Sequence, residues 1–179
     1  AIDGRAIVND TVLLRAFTSV AKPDARILIL GSMPSAASLE AQQYYAHPRN
    51  AFWSILATIT GVAADAPYSE RLNGLRDARF ALWDVLQGCE RKGSLDSAIV
   101  DATSVTNDFA LFISEHPDLE RVVFNGAKAE QCFRRQVQLP PSMRDALEFR
   151  RVPSTSPAHA SWSFQRKLEV WREALCFDE

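Results

Sequence analysis

Cysteine and histidine are both scarce, with only three of each in 179 residues. Cys89, Cys132 and Cys176 are widely separated and odd in number, so they form neither a disulfide framework nor a metal-ligand pattern. Their sparse use suits a reducing cytosol, and no metal or cofactor is expected. Basic charge is not in excess either: 20 Lys and Arg against 22 Asp and Glu leave a net charge of −2. A global positive field is therefore excluded, although a local basic patch is not. No stretch has the length and apolarity of a membrane span, and no secretory signal is visible, which sets the expectation of a cytoplasmic protein with no membrane partner. Internal repeats, low-complexity tracts and domain linkers are missing as well. What is present is ordinary for a globular chain, 47% hydrophobic and 23% charged, and one domain over residues 1–179 is expected.

Apolar and polar runs alternate along the chain. Thr11–Phe17 has an amphipathic pattern and is expected to form a helix capped by Asn9 or Asp10. Pro23 separates it from Arg26-Ile27-Leu28-Ile29-Leu30, which reads as a strand buried on both faces. Ala51–Thr60 reads as a helix stopped by Gly61, and Tyr68–Leu75 as a shorter one. Arg79–Leu86 is a second strand that delivers Asp84 to its end. Gln87–Asp101 is polar and turn-rich, and is expected to be a solvated loop or one that brings Arg91 or Lys92 to a phosphate. A helix capped near Asp108 runs from Phe109 toward His116-Pro117, with His116 at the surface. Arg121–Phe124 is a third strand, Lys128–Gln136 a helix, Leu139–Ser142 a loop and Leu147–Val152 a fourth strand. Ser161–Leu175 closes the chain as an amphipathic helix. Strands alternating with helices predict an α/β fold, a three-layer α/β/α arrangement around a central four-stranded, mainly parallel sheet.

Two stretches concentrate chemistry. The first strand ends in Gly31-Ser32-Met33-Pro34-Ser35, where Gly31 permits a sharp turn and Pro34 fixes φ. Ligands bind beyond the carboxyl ends of strands in open parallel sheets, so this loop sits where a site belongs. It is followed by Tyr44-Tyr45-Ala46-His47-Pro48-Arg49-Asn50-Ala51-Phe52-Trp53, in which Phe52 and Trp53 begin a helical core run. Tyr45 offers a stacking face, and Asn50 carries an amide donor and acceptor. The second stretch, Pro153–Ala160, holds two prolines, three hydroxyls and His159, a rigid and donor-rich loop. Asn125-Gly126-Ala127 closes the third strand at a helix N-terminus, where backbone amides can face an anion or Gly can simply relieve sterics.

These stretches resemble the uracil-DNA glycosylase superfamily. Its mismatch-specific members carry a Gly-x-Asn-Pro-Gly loop and then His-Pro-x-Asn-x-Phe-Trp. The present chain has Gly31-Ser32-Met33-Pro34-Ser35 and His47-Pro48-Arg49-Asn50-Ala51-Phe52-Trp53, with Met33 in the place of the loop asparagine. A Gly-Ser-x-Pro-Ser loop followed by Tyr-Tyr-x-His-Pro-Arg-Asn is the pattern of the hypoxanthine-DNA glycosylase branch. Pro153–Ala160 is similar to the superfamily's second motif, a Pro-Ser loop that enters the minor groove. Most relatives place His or Asn before that pair; here Val152 stands there. The Gly93-Ser94-Leu95-Asp96-Ser97 core is also similar to that branch, which implies a place at the site edge.

The resemblance extends from about Arg26 to the final helix. It implies a uracil-DNA glycosylase-like fold and a monofunctional enzyme acting on deoxyinosine in damaged double- or single-stranded DNA, as a monomer. No lysine lies in either motif to form a Schiff base. Such chemistry requires the base to be extruded from the duplex, held, and released as negative charge builds on it. Asn50 is implied as the catalytic group, although it is equally placed to cap the following helix. Tyr45 is implied to stack on the base. Gly31, Ser32, Met33, Pro34, Ser35, His47, Asn125 and Gly126 are implied to line the base site, with His47 ordering the loop or meeting a phosphate rather than acting as a base. Ser154, Thr155, Ser156, Pro157 and His159 are implied to meet DNA, with an exposed loop histidine the alternative for His159. Loss of polar groups at Met33 and Val152 argues against strong uracil excision. The rival readings are a uracil or mismatch glycosylase, a non-catalytic damaged-DNA-binding domain of the same fold, and an enzyme of free nucleosides.

Overall fold

The computed structural model describes residues 13–177. Its first element is a strand, β1 (Leu13–Arg15), where the amphipathic pattern suggested a helix over Thr11–Phe17. The expected caps Asn9 and Asp10, with Thr11 and Val12, lie outside the described residues. The chain continues as β2 (Ile27–Gly31), α1 (Ala36–Ala41), α2 (Phe52–Thr60), α3 (Tyr68–Asp77), β3 (Phe80–Asp84) and β4 (Leu86–Arg91). A 3-10 turn (Asp96–Ala98) leads into β5 (Ile99–Thr106), α4 (Phe109–Glu115), β6 (Arg121–Asn125) and α5 (Ala127–Gln136). A short helix, α6 (Pro141–Asp145), then β7 (Glu148–Val152) and α7 (Phe164–Leu175) complete the order.

Strands β3, β2, β6 and β7 lie side by side in that order and all run parallel. The Ile27–Leu30 run is buried on both faces, as its uninterrupted apolarity predicts. Ile27 and Ile29 pack into the core that receives α2, α3 and α7, through Phe52, Ile55, Leu75 and Trp171. Leu28 and Leu30 point into the opposite core, against Phe109 and Phe112 of α4 and Cys132 and Phe133 of α5. Alternation along one strand thus feeds two helical layers, giving the expected three-layer arrangement. Gly61, at φ +78°, ends α2 in the left-handed conformation that the sequence reading assigns to it.

The Gln87–Asp101 segment is not a solvated loop throughout. Strands β1, β4 and β5 form a separate antiparallel sheet in that spatial order. Two features hide it from pattern reading. Register shifts between Leu86, Gly88 and Glu90 break the period-two alternation, and β5 is largely exposed, so few of its side chains need to be apolar. Gly88 is required by close approach: a Cβ there would fall 2.8 Å from the carbonyl oxygen of Leu14. Part of the Leu139–Ser142 loop is likewise helical, with Pro141 at the start of α6, where its missing N–H costs nothing. His116 is half-buried rather than superficial, stacked on Phe112 at 4.0 Å. Among the described residues no helix is long and apolar enough to cross a membrane.

One buried cation fastens the carboxyl-terminal end of the chain to the sheet. Arg121 on β6 donates to Glu148 on β7 (2.7 Å) and to the carbonyls of Ala174 (2.8 Å) and Cys176 (2.9 Å). Its guanidinium also lies 4.5 Å from the centre of the Phe177 ring. Arg121→Met keeps the apolar stem and removes the head, leaving two carbonyls without their donor. The expected loss is about 3 kcal/mol of unfolding free energy, read from urea denaturation at neutral pH.

Candidate active site

The parallel register sets Gly31 opposite Asp84, Leu30 opposite Phe124 and Asn125 opposite Val152. The four carboxyl ends therefore finish in one row, and a pocket of about 380 Å³ opens above them. That size is usual for a small-molecule site.

The Gly31–Ser35 loop forms one wall and is held from below and from the side. Val85 N–H donates to the Gly31 carbonyl (2.8 Å) and Leu86 N–H to that of Ser32 (3.1 Å). The Ser32 hydroxyl donates to Asp96 (2.6 Å), and Ala36 N–H donates to the Ser94 hydroxyl (2.9 Å). Buried Arg91 joins the same two segments by donating to the carbonyls of Pro34 and Gly93. Ser35 caps α1, accepting from Ser38 N–H (3.1 Å). Met33 is buried in the core beside α4 and α5, so the residue in place of the customary asparagine serves packing.

The aromatic segment forms a second wall. Tyr44 is buried and donates to the Thr18 carbonyl (2.8 Å), while Trp53 donates to the Tyr44 carbonyl (2.9 Å). Tyr45 adopts a positive φ of 54°, a strained backbone for a tyrosine. One face of its ring is stacked on Phe52 at 4.0 Å, and its hydroxyl is buried on the pocket floor. Burial first, and the charge of Asp84 second, push this phenol well above its ordinary range, so it stays protonated. Asn50 Oδ1 accepts from Phe52 N–H (2.9 Å), which anchors the start of α2. That bond identifies the oxygen end of the amide, and among the described residues the nitrogen end has no partner.

The Pro153–Ala160 loop closes the third side. Asn125 clamps Thr155 twice, donating to its hydroxyl (2.9 Å) and accepting from its N–H (3.0 Å). Ala51 N–H donates to the Thr155 carbonyl (3.0 Å), tying this loop directly to the Asn50 segment. Gly126, at φ +92°, leaves room for Ser154, whose Cβ would lie 3.0 Å from an added side chain. Lys167 holds the His159 carbonyl (2.6 Å) and Trp171 that of Pro153 (2.9 Å). Val152 is buried in the core next to α7, the counterpart of Met33 on the other side.

Gly31, Ser32, Met33, Pro34, Ser35, Tyr45, Asn50, Asn125, Gly126, Ser154, Thr155, Ser156 and His159 all line the pocket. His47 and Pro157 do not line it; His47 accepts from Arg49 N–H (3.1 Å) through Nδ1 and so orders its own loop. Asp84, which the sequence reading placed only at a strand's end, also lines the pocket, as do Ser38, Lys128 and Ala158, to which that reading gave no role. The strand ending at Asp84 was legible, and an acid at a strand's carboxyl end was the available signal. Among the described residues no group of His, Cys, Asp and Glu side chains gathers as a metal site would require.

Asp84 is fully buried, and its Oδ2 has no partner among the described residues. Burial first and the charge of Asp96 second raise its carboxyl from 3.8 to about 7, against the opposing pull of Arg91. Below the lower value the group is protonated in both folded and unfolded chains. As pH rises from about 4 to about 7 the unfolded chain ionises and the folded one resists, so stability is lost across that window and levels off above it. Relative to Asp84→Asn, the wild-type melting temperature is expected to fall by several degrees between about pH 4 and pH 7 and to run parallel beyond. Paired thermal melts across that range measure the difference.

The family model described as the uracil DNA glycosylase superfamily matches residues 18–175. A protein of Methanosarcina acetivorans named hypoxanthine DNA glycosylase is 36% identical over 160 residues, 88% of this chain and 96% of that protein. A protein of the same name from Methanosarcina barkeri is 37% identical over 116 residues, 64% of this chain and 72% of its own length. The solution NMR structure of a candidate uracil DNA glycosylase from Methanosarcina acetivorans superposes with a TM-score of 0.73 at 34% identity. The alignment covers 91% of this chain and 99% of that one. With both motif loops meeting over the carboxyl ends of its parallel sheet, the chain belongs to the uracil DNA glycosylase superfamily.

Proposed function

We propose that the protein is a DNA glycosylase that takes an extruded deaminated base, hypoxanthine, into the pocket and hydrolyses its N-glycosidic bond. The observation that carries this reading is the joining of the two motif loops over one pocket, through Ala51 to Thr155 and Asn125 to Thr155. The choice of hypoxanthine is supported by the names of the two Methanosarcina relatives and by the apolar Met33 and Val152. DNA carrying the lesion, in duplex or single-stranded form, is the partner of a monomer acting in the cytoplasm.

Among the described residues the pocket holds no serine, cysteine or lysine paired with a histidine base. Bond cleavage leaves positive charge on the sugar and sends the bond electrons to the base, so catalysis falls to positioning and to donors aimed at the leaving group. Asn50 suits this work because its amide is fixed by the bond to Phe52 N–H, leaving Nδ2 as an oriented donor to the base or to an attacking water. The N-cap position of α2 is Ala51 rather than Asn50, and anchoring of the helix start and donation are carried by opposite ends of the Asn50 side chain. Tyr45, backed by the buried ring of Phe52, receives the base, and the clamped loop around Thr155 follows the DNA backbone beside the vacated position. Ser154, Ser156 and His159 meet the sugar-phosphate chain there.

Asn50→Ala removes both ends of the amide, whereas Asn50→Asp retains the oxygen that accepts from Phe52 N–H and removes the donor. Both are expected to slow hypoxanthine release from a deoxyinosine duplex by about 100-fold or more, scored by alkaline strand cleavage. Only Asn50→Ala is expected to lose stability, by about 1 kcal/mol. Release from a uracil duplex, with none from deoxyinosine, would move the protein to the uracil-excising members. Binding without release from either would remove the enzymatic reading.

A further inference from the structure

The role of Asp84 follows from its surroundings. It sits at the carboxyl end of β3 on the pocket floor, buried and with Oδ2 lacking any partner among the described residues. Its Oδ1 lies 2.6 Å from the point that a Cβ on Gly31 would occupy, and the Tyr45 hydroxyl lies 2.8 Å from the same point. The missing side chain of Gly31 is therefore what gives this carboxyl its place beneath the pocket. A structural carboxylate at such depth is normally paired with a cation or with several N–H donors. Asp84 has neither, and this is the arrangement of a group whose partner arrives with the ligand.

The charged and titratable groups around it decide its form. Asp96, from the 3-10 turn, opposes ionisation; Tyr44 and Tyr45, from the aromatic segment, remain protonated. Arg91 of β4 favours ionisation; its Nε and Nη2 are committed to Gly93 and Pro34, and its Nη1, buried and without a partner among the described residues, makes no hydrogen bond to Asp84. Burial outweighs that pull, and the carboxyl is held near neutrality. An acid kept uncharged in this way has one hydrogen to donate and one oxygen that can accept.

Building on the glycosylase reading, we propose that Asp84 is a further catalytic residue, acting as a neutral acid whose O–H donates to the carbonyl oxygen of the extruded oxo-base. Its other oxygen accepts the neighbouring ring N–H, so that the two groups form a cyclic pair with the lactam edge. As the N-glycosidic bond breaks, its electron pair passes to the base nitrogen and spreads toward that carbonyl, and the hydrogen bond from Asp84 strengthens. Asp84 keeps its proton throughout; water supplies the oxygen that joins the sugar carbon and the proton that ends on the base. An ionised Asp84 would face the carbonyl lone pairs with negative charge and oppose the same step.

Single-turnover release of hypoxanthine from a deoxyinosine duplex, followed from about pH 5.5 to about pH 8.5, tests this. Wild-type release is expected to be level at the acid end and to fall, approaching tenfold per unit, above about pH 7. Asp84→Asn keeps a donor and an acceptor but cannot ionise; it should work more slowly than the wild-type plateau and show no alkaline fall. Asp84→Leu, of similar size and without either group, should be about 100-fold slower than wild type at the acid end. Titration of the substrate acts on all three proteins alike, so a difference in profile belongs to Asp84. Wild-type release that rises through pH 7, together with a dead but folded Asp84→Asn, would overturn the proposal in favour of a carboxylate base and leave the glycosylase reading standing. An alkaline fall retained in Asp84→Asn would overturn it too. Folded wild-type protein that releases nothing at any pH would instead remove the glycosylase reading on which the proposal rests.

Discussion

The parallel ladder of β3, β2, β6 and β7 is the constraint on which the other features depend. Parallel strands end on the same side, and their register brings Gly31 level with Asp84 and Asn125 level with Val152. Each of these residues is the last or nearly the last of its strand, so four loops leave the sheet together. A slip of one residue would turn Asp84 or Asn125 to the opposite face of its strand and break the pocket floor. The burial of Ile27–Leu30 on both faces resists such a slip, because each alternate side chain is committed to a different helical layer.

Above the ladder, polar groups are arranged by hydrogen bonds that leave particular atoms free. Asn125 spends its amide on Thr155, and Arg91 spends Nε and Nη2 on two loop carbonyls, with only Nη1 left over. Asn50 retains its nitrogen end, and Asp84 retains Oδ2. The first pair makes the pocket rigid, while the second leaves it reactive toward a base. This division suits a reaction in which charge develops on the leaving group and where fixed donors contribute more than a strong nucleophile. Met33 and Val152 fit the same scheme: each fills core space at a position where other members of the family place a polar side chain.

Most of the parallel sheet was legible because β2, β3 and β6 are short apolar runs ending in Gly31, Asp84 and Asn125, and because α2, α5 and α7 carry clear boundary residues. The antiparallel sheet was not legible. β1 is too short to show a period, β4 is interrupted by shifted register around Gly88, and β5 is mostly exposed. Backbone pairing forms these strands, and side-chain patterns report such pairing poorly when only one face is covered.

Two short motifs, Gly31–Ser35 and Tyr44–Trp53, were sufficient by themselves to indicate the family and the strand whose loop lines the pocket, and both motifs do reach that pocket, Asn50 among their lining residues. Their residue types are dictated by local needs, a turn after a strand and a cap before a helix, and such needs are written in contiguous sequence. The importance of Asp84 was decided only by tertiary structure. The apolar run around it places it at the end of a strand but says nothing of its protonation or its partners. Its burial, the charge of Asp96 and its place under Gly31 all come from the way distant segments pack, and the protonation of a carboxyl is set by everything that surrounds it in space.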